Sequence, residues 1–247
     1  LIKASQTLIA QTLTALSLTS LTLRPWVRGV LRFGLGFALL PGLAVGGQST
    51  PLRIATWNLN NLHSETGEPL RPGAPSRSRA DYALLAEYAQ RLDADVVGLQ
   101  EVSGPEAIHR VFPRTRYEAY LSGRYHADRK LNRASDRIYT AFAVRRDTVP
   151  VIAVRDVPEL GLADRSGHRT RHGLELVVEW RGEPLHLLVV HLKSGCFAAS
   201  LQPARSDSCR LLARQIPALE AWIDDRARRG QPFAVLGDLN RALDVHG

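Results

Sequence analysis

Four polar residues close apolar runs in this sequence, and their types suit chemistry at a phosphate ester. Asn58 follows the run at 52–57 (LRIATW), Glu101 the run at 96–100 (VVGLQ) and His191 the run at 185–190 (LHLLVV). Asp238 stands one residue beyond the run at 233–236 (FAVL), and Asn240 lies two positions further on. A carboxylate suits a hard divalent cation, since oxygen ligands suit Mg²⁺, and such a cation neutralises the charge that builds on phosphoryl oxygens. A second carboxylate can orient or deprotonate water, while amide and imidazole N–H groups can hold the non-bridging oxygens. Each residue alone has an ordinary structural explanation. Asn58 can end a strand in an Asn-rich turn, Glu101 can be a helix-start or surface charge, His191 can be a hydrogen-bonded core histidine, and residues 237–240 can be a plain turn. The combination favours chemistry, because α/β folds form their ligand sites outside the carboxyl ends of strands.

That reading requires elements that end together. The runs at 52–57, 96–100, 185–190 and 233–236 have the length and composition of buried strands, and 138–144, 151–154 and 174–180 read as further strands with antiparallel pairing. Residues 60–79 carry Gly67, Pro69, Pro72, Gly73 and Pro75, so they read as a surface loop. Tyr82, Leu84, Leu85, Tyr88, Ala89 and Leu92 recur at helical spacing and predict a helix over about 80–92. Residues 204–229 read as helical, with Pro217 expected to kink or divide the helix. Arg226, Arg228 and Arg229 read as its solvated end, complementing the helix dipole, with Gly230 as the cap.

The wording and order of four segments add a resemblance. IATWNLNNL at 54–62, DVVGLQEV at 95–102, VVHLKSG at 189–195 and VLGDLN at 235–240 resemble the endonuclease/exonuclease/phosphatase superfamily, over about 190 residues and in the family's order. The resemblance implies a four-layer α/β sandwich with two mixed β-sheets packed face to face and helices outside. It implies that Glu101 is a metal-ligand glutamate and that Asn58 helps place metal and phosphate. Asp238 matches the aspartate that positions or activates the attacking water, Asn240 a phosphate and transition-state donor, and His191 a histidine that contacts the scissile phosphate. The implied cofactor is Mg²⁺, with Mn²⁺ or Ca²⁺ as substitutes, and the implied substrate is a phosphate ester, with nucleic acid favoured. Arg137 and Tyr139, Arg171, and the pair Asp244 and His246 are weaker candidates. The family's terminal Ser-Asp-His motif has no counterpart here, so the expectation is a C-terminally incomplete domain with poor solubility or residual turnover.

Residues 1–50 read as an extension and residues 51–247 as the domain. Arg28 and Arg32 precede an apolar stretch at 33–45, followed by small and polar residues, which is the layout of a signal peptide. The stretch is shorter than the roughly 20 residues that span a bilayer. Export to the periplasm or the exterior is therefore expected, with no transmembrane anchor once the leader is removed. Cys196 and Cys209 are the chain's two cysteines and read as one disulfide in that compartment. No second Cys/His cluster has zinc-ligand spacing, which speaks against metal binding by the pair.

The formal charge of +8 exaggerates the basic character. Beyond position 50 there remain 28 basic against 24 acidic residues, a net of +4, which suits an anionic substrate without forming the basic stripe of a DNA-binding module. Three readings compete: a secreted metal-dependent, nuclease-like phosphodiesterase; a non-catalytic module of the same fold that binds a phosphate ligand or protein; and a phospholipid or sugar-phosphate phosphatase. The first is preferred on the HLKS wording and the cysteine pair. No stable protein partner is expected.

Overall fold

The computed structural model describes residues 51–132, 137–163 and 169–242. The leader-like stretch at 33–45, part of the polar loop at 164–172 including His168, and Asp244 and His246 lie outside the described residues. The elements run in chain order as β1 (Ile54–Leu62), α1 (Arg79–Leu92), β2 (Val96–Val102), α2 (Pro105–Val111), β3 (Tyr117–Leu121), α3 (Gly123–Lys130), β4 (Tyr139–Arg145), β5 (Val151–Val157), β6 (Gly173–Trp180), β7 (Glu183–His191), α4 (Asp207–Arg228) and β8 (Phe233–Asp238).

Two mixed sheets result, ordered β1-β2-β4-β3 and β5-β6-β7-β8. Each has one parallel pair at an edge, β1 with β2 and β7 with β8, and antiparallel pairs elsewhere. The layering follows from strand periodicity, since successive side chains point to opposite faces. Val96 of β2 faces inward with Phe142 and Val144, and meets Leu174, Leu176, Val178, Leu187 and Val189 of the second sheet. Val97 and Leu99 face outward and pack with Tyr82 and Ala89 of α1 and Ala107, Ile108 and Val111 of α2. On the second sheet, Leu188 and Val190 face outward against Cys209, Leu212, Leu219 and Trp222 of α4. Helices thus lie outside two sheets packed face to face, the expected four-layer sandwich. Strands covered on both faces are largely apolar, which explains the apolar runs in β2 and, His186 apart, in β7. Each fully buried aliphatic side chain in these layers contributes about 1.5–3 kcal/mol.

Several expectations change. β1 does not stop at Asn58 but continues to Leu62, and β2 continues through Glu101 to Val102. α2, β3 and α3 carry no pattern strong enough to be read from sequence. α1 begins one residue before the predicted start, fixed by a capping box between Ser78 and Asp81 that satisfies backbone donors at both ends of the motif. α4 runs unbroken through Pro217. A proline inside a helix costs about 3 kcal/mol, and here burial of Leu211, Leu212 and Gln215 on one side of it, with Ala218, Leu219 and Trp222 packed on the other, outweighs the break. Arg226 is not part of a solvated end. Its guanidinium reaches Glu175 at 3.3 Å and His186 at 3.1 Å on the sheet beneath, whereas Arg228 and Arg229 are exposed, as expected. Among the described residues no helix is long and apolar enough to cross a membrane.

Candidate active site

The carboxyl ends of the two parallel pairs meet at one place. In the first sheet β1 and β2 are in register up to Asn58 and Gln100, then slip, and β2 slips against β4 between Leu99 and Val102. Leu99 and Val102 are three residues apart yet pack into the same helix-side cluster, which strict alternation forbids. Glu101 absorbs the difference with φ +60°, and Asn60 and Asn61 do the same in β1 with φ +45° and +57°. Asparagine tolerates this left-handed region, while a glutamate there is uncommon. Without the bulge Glu101 would point with Leu99 into the helix layer; with it, the carboxylate is re-aimed toward the strand ends.

The second sheet delivers its residues in regular register. His191 and Asp238 are direct partners across β7 and β8, and the Leu192 N–H donates to the Asp238 carbonyl at 2.9 Å. Gly237 makes this approach possible: at φ +122°, a Cβ there would lie 2.0 Å from the Val190 carbonyl oxygen.

One amide joins the sheets. The Asn58 Nδ2 donates to Glu101 Oε1 at 3.1 Å and to Asp238 Oδ2 at 3.1 Å. The Asn58 Oδ1 accepts the Asn60 N–H at 2.9 Å, which fixes the end of the amide that faces the carboxylates. Glu101 Oε2 accepts both the backbone N–H of Asn61 at 3.1 Å and its Nδ2 at 3.0 Å. Arg77 holds the left-handed segment of β1 by donating to the carbonyls of Leu59, Asn60 and Asn61. His191 presents Nε2 3.7 Å from Glu101 Oε1, too long for a hydrogen bond, and its Nδ1 is buried without a partner. Burial lowers the imidazole below its ordinary pKa, opposed by the Glu101 charge, while Arg171 lowers it further. Asp238 Oδ1 accepts the Asn240 N–H at 2.8 Å, and Asn240 Nδ2 donates to the Leu192 carbonyl at 3.0 Å, leaving one N–H of that amide to give.

Asn58, Glu101, His191, Asp238 and Asn240, distant in sequence, are therefore neighbours. Asn61 and Arg77 belong to the same constellation and were not singled out from sequence. The signal for Asn61 was the asparagine repetition in NLNN, which marks a segment able to hold left-handed backbone; Arg77 carried no signal. Of the weaker candidates, Tyr139 is buried and its hydroxyl donates to Asp128 at 3.2 Å, and Arg137 Nε lies 3.8 Å from the same carboxylate. Burial raises the Tyr139 pKa far above that of an ordinary phenol.

Two carboxylates thus share one amide, and among the described residues neither forms an ion pair with an arginine or lysine. The described residues hold no group of three or more His, Cys, Asp or Glu placed as metal ligands. Glu101 and Asp238 offer oxygen donors of the kind a hard divalent cation takes, with one or two carboxylates and waters completing the shell. Cys196 and Cys209 form a disulfide that ties the segment after His191 to the start of α4.

A family model described as the Endonuclease/Exonuclease/phosphatase family matches residues 55–245. Similar solved structures include the human Nocturnin catalytic domain with bound sulfate (16% identity, 77% of this chain and 65% of that chain, TM-score 0.51). A mannosyl-6-phosphatase of Bacteroides thetaiotaomicron (16% identity, 77% and 66%, TM-score 0.52) and an endonuclease/exonuclease/phosphatase family protein of the same organism (16% identity, 76% and 63%, TM-score 0.50) are also similar. The chain spans just under two thirds of the length of these structures. No curated protein matches it by sequence.

Proposed function

This chain belongs to the endonuclease/exonuclease/phosphatase family, and from that premise we propose that it is an exported, Mg²⁺-dependent phosphodiesterase of nuclease type. The observation that carries the proposal is the Asn58 amide held between Glu101 and Asp238 at 3.1 Å from each, with His191 alongside. Two carboxylates that form no ion pair with an arginine or lysine among the described residues leave negative charge for a cation to neutralise.

Glu101 and Asn58 are the residues that would hold the ion. Bound there, it would supply Lewis-acid stabilisation of the charge on the phosphoryl oxygens. Asp238, tied to Asn240 and Asn58, orients a water and accepts its proton as the water oxygen bonds to phosphorus; the ester oxygen opposite it parts from phosphorus and takes a proton from solvent. His191, neutral in its buried setting, donates an N–H to a non-bridging oxygen, and the remaining N–H of Asn240 donates to another. The disulfide supports export, because such bonds persist in oxidising compartments.

A sugar-phosphate or phospholipid phosphatase is the second reading, and the fold shared with a mannosyl-6-phosphatase supports it. The experiment is hydrolysis of plasmid DNA, bis-p-nitrophenyl phosphate, mannose 6-phosphate and sphingomyelin, each with and without EDTA, alongside Glu101→Ala. EDTA-sensitive cleavage of plasmid DNA and of the diester, lost in the variant, is expected. Turnover indifferent to EDTA or to Glu101→Ala overturns the metal mechanism, and turnover of mannose 6-phosphate alone moves the chain to the second reading.

A further inference from the structure

The loop that follows β7 holds an aromatic ring in water beside the site. Phe197 is 67% exposed, the most exposed large apolar side chain among the described residues. The chain on either side of it turns inward, since Leu192 and Cys196 before it and Leu201 after it belong to the cluster packed against α4. Burying such a ring would contribute about 1.5–3 kcal/mol, a gain the loop forgoes. Isolated apolar residues on a surface are ordinary, and what sets this one apart is its mounting.

The backbone is fixed before, at and after the ring. Cys196 is bonded to Cys209, the Phe197 carbonyl accepts the Ala242 N–H at 2.9 Å, and Arg241 Nη1 donates to the carbonyls of Cys196 at 3.3 Å and Ala199 at 2.5 Å. The same partners connect the ring to the site. Asn240, whose amide donates to the Leu192 carbonyl at 3.0 Å, immediately precedes Arg241. With about 3.8 Å between successive Cα atoms, Ala242 lies within about 8 Å of Asn240. Phe197 thus stands one hydrogen bond and two residues from an amide that faces the phosphate. The surrounding charge is positive: Lys193 Nζ donates to the Ser194 carbonyl at 3.0 Å and Arg241 to the two carbonyls above, so among the described residues no carboxylate answers either cation.

We propose that Phe197 is a stacking platform for an unpaired nucleobase of the substrate, next to the phosphate that is cleaved. The proposal rests on the hydrolase reading and directs it toward single strands over duplex, because a base inside a duplex has its faces covered by its neighbours. Sites that take unpaired bases combine aromatic rings with basic side chains along the backbone, and Phe197 makes that combination with Lys193 and Arg241. A ring on a fixed backbone has two bonds to immobilise, so little freedom is lost on binding. A lipid surface is the poorer match. Interfacial anchoring scales with buried apolar area, and the exposed apolar neighbours of Phe197 are the small residues Ala198 and Ala199.

The test is fluorescence anisotropy of labelled octathymidylate, and of an abasic octamer with the same phosphates, binding to the full chain in EDTA. Octathymidylate is expected to bind about 10-fold tighter, the size of one base–aromatic stack. Phe197→Ala should bring the two affinities together, Phe197→Trp should keep the difference, and Phe197→Leu, apolar but not planar, should lose most of it. The side chain is exposed, so all three variants should melt with the wild type. Equal affinities in the wild type, or a preference that survives in Phe197→Ala, overturn the proposal. Loss of binding to phosphatidylglycerol vesicles in Phe197→Ala, with the octathymidylate preference unchanged, overturns it in favour of a lipid surface. EDTA separates these outcomes from the fate of the hydrolase reading. A chain that prefers octathymidylate yet cleaves nothing when Mg²⁺ is returned keeps the platform and loses the enzyme. One that hydrolyses bis-p-nitrophenyl phosphate but binds both octamers equally loses the platform alone.

Discussion

The two sheets bring acidic groups to the same place by opposite means. The first bends its backbone: Glu101, Asn60 and Asn61 all adopt left-handed conformations, and both ladders around β2 slip. The second keeps its β7–β8 ladder regular, pairs His191 directly with Asp238, and confines its unusual geometry near that pair to Gly237 and Asn240. A non-glycine residue with positive φ stores roughly 1–3 kcal/mol of strain. The first sheet thus holds strain on a side chain that carries charge, whereas the second places a glycine where backbone approach is closest. Mutations should therefore separate function from stability on one side and join them on the other.

The largest expected effect is on the strained side. Glu101→Ala removes the acceptor of three hydrogen bonds from Asn58 and Asn61 and should lower Mg²⁺-dependent diester hydrolysis roughly 1,000-fold. Glu101→Gly makes the same functional loss while accepting φ +60° freely. Its melting temperature is expected to equal or exceed that of Glu101→Ala, measured by calorimetry; a lower value would show that the bulge is not strained.

The mirror experiment is Gly237→Ala, in which the new Cβ meets the Val190 carbonyl oxygen at 2.0 Å. Backbone on both sides leaves no flexible atom to move, so destabilisation of more than about 3 kcal/mol is expected from urea unfolding. Activity should fall in proportion to the unfolded fraction. A folded Gly237→Ala chain of normal stability would erase the contrast between the sheets.

Next in size is the disulfide, which has no counterpart in the first sheet. It fastens a segment whose other ties include the hydrogen bonds of Arg241 to the Cys196 and Ala199 carbonyls, of the Ala242 N–H to the Phe197 carbonyl and of the Lys193 N–H to Gln215. Reduction, or the double variant Cys196→Ser with Cys209→Ser, should cost up to about 3 kcal/mol by releasing a closed loop. The melting temperature with and without dithiothreitol measures it. An unchanged value would mean that the arginine and backbone ties suffice.

This contrast also explains what the sequence made legible. His191 and Asp238 sit where regular strands end, so an apolar run followed by a polar residue found them. Glu101 and Asn58 were found the same way, but their strands go on for several residues beyond, because a bulge has no periodic signature. The edge strand β5, exposed on one face at Ile152 and Val154, was legible because its length and composition suffice. β3, with the short helices α2 and α3 around it, was not, since α2 is seven residues and α3 eight and neither repeats an apolar stripe long enough to register. Arg226 misled because three arginines at a helix end look alike in sequence, and only the sheet beneath distinguishes the one that pairs with buried Glu175.

The smallest expected effect tests how the first sheet holds its strain. Asn61 supports Glu101 twice, once through its backbone and once through its side chain, and only the second contact is open to mutation. Asn61→Ala deletes the side-chain bond and places a less tolerant residue at φ +57°. Both effects destabilise the bulge, by about 1–2 kcal/mol together. Asn61→Gly deletes the same bond but relieves the backbone. If the side chain matters chiefly as a support for the carboxylate, both variants should lose hydrolysis by roughly 10- to 100-fold, the usual cost of a partner to a ligating group, while only the alanine variant loses stability. If backbone conformation is what matters, the glycine variant should retain wild-type turnover, and the strain at Glu101 would then rest on Arg77 and its three carbonyl acceptors.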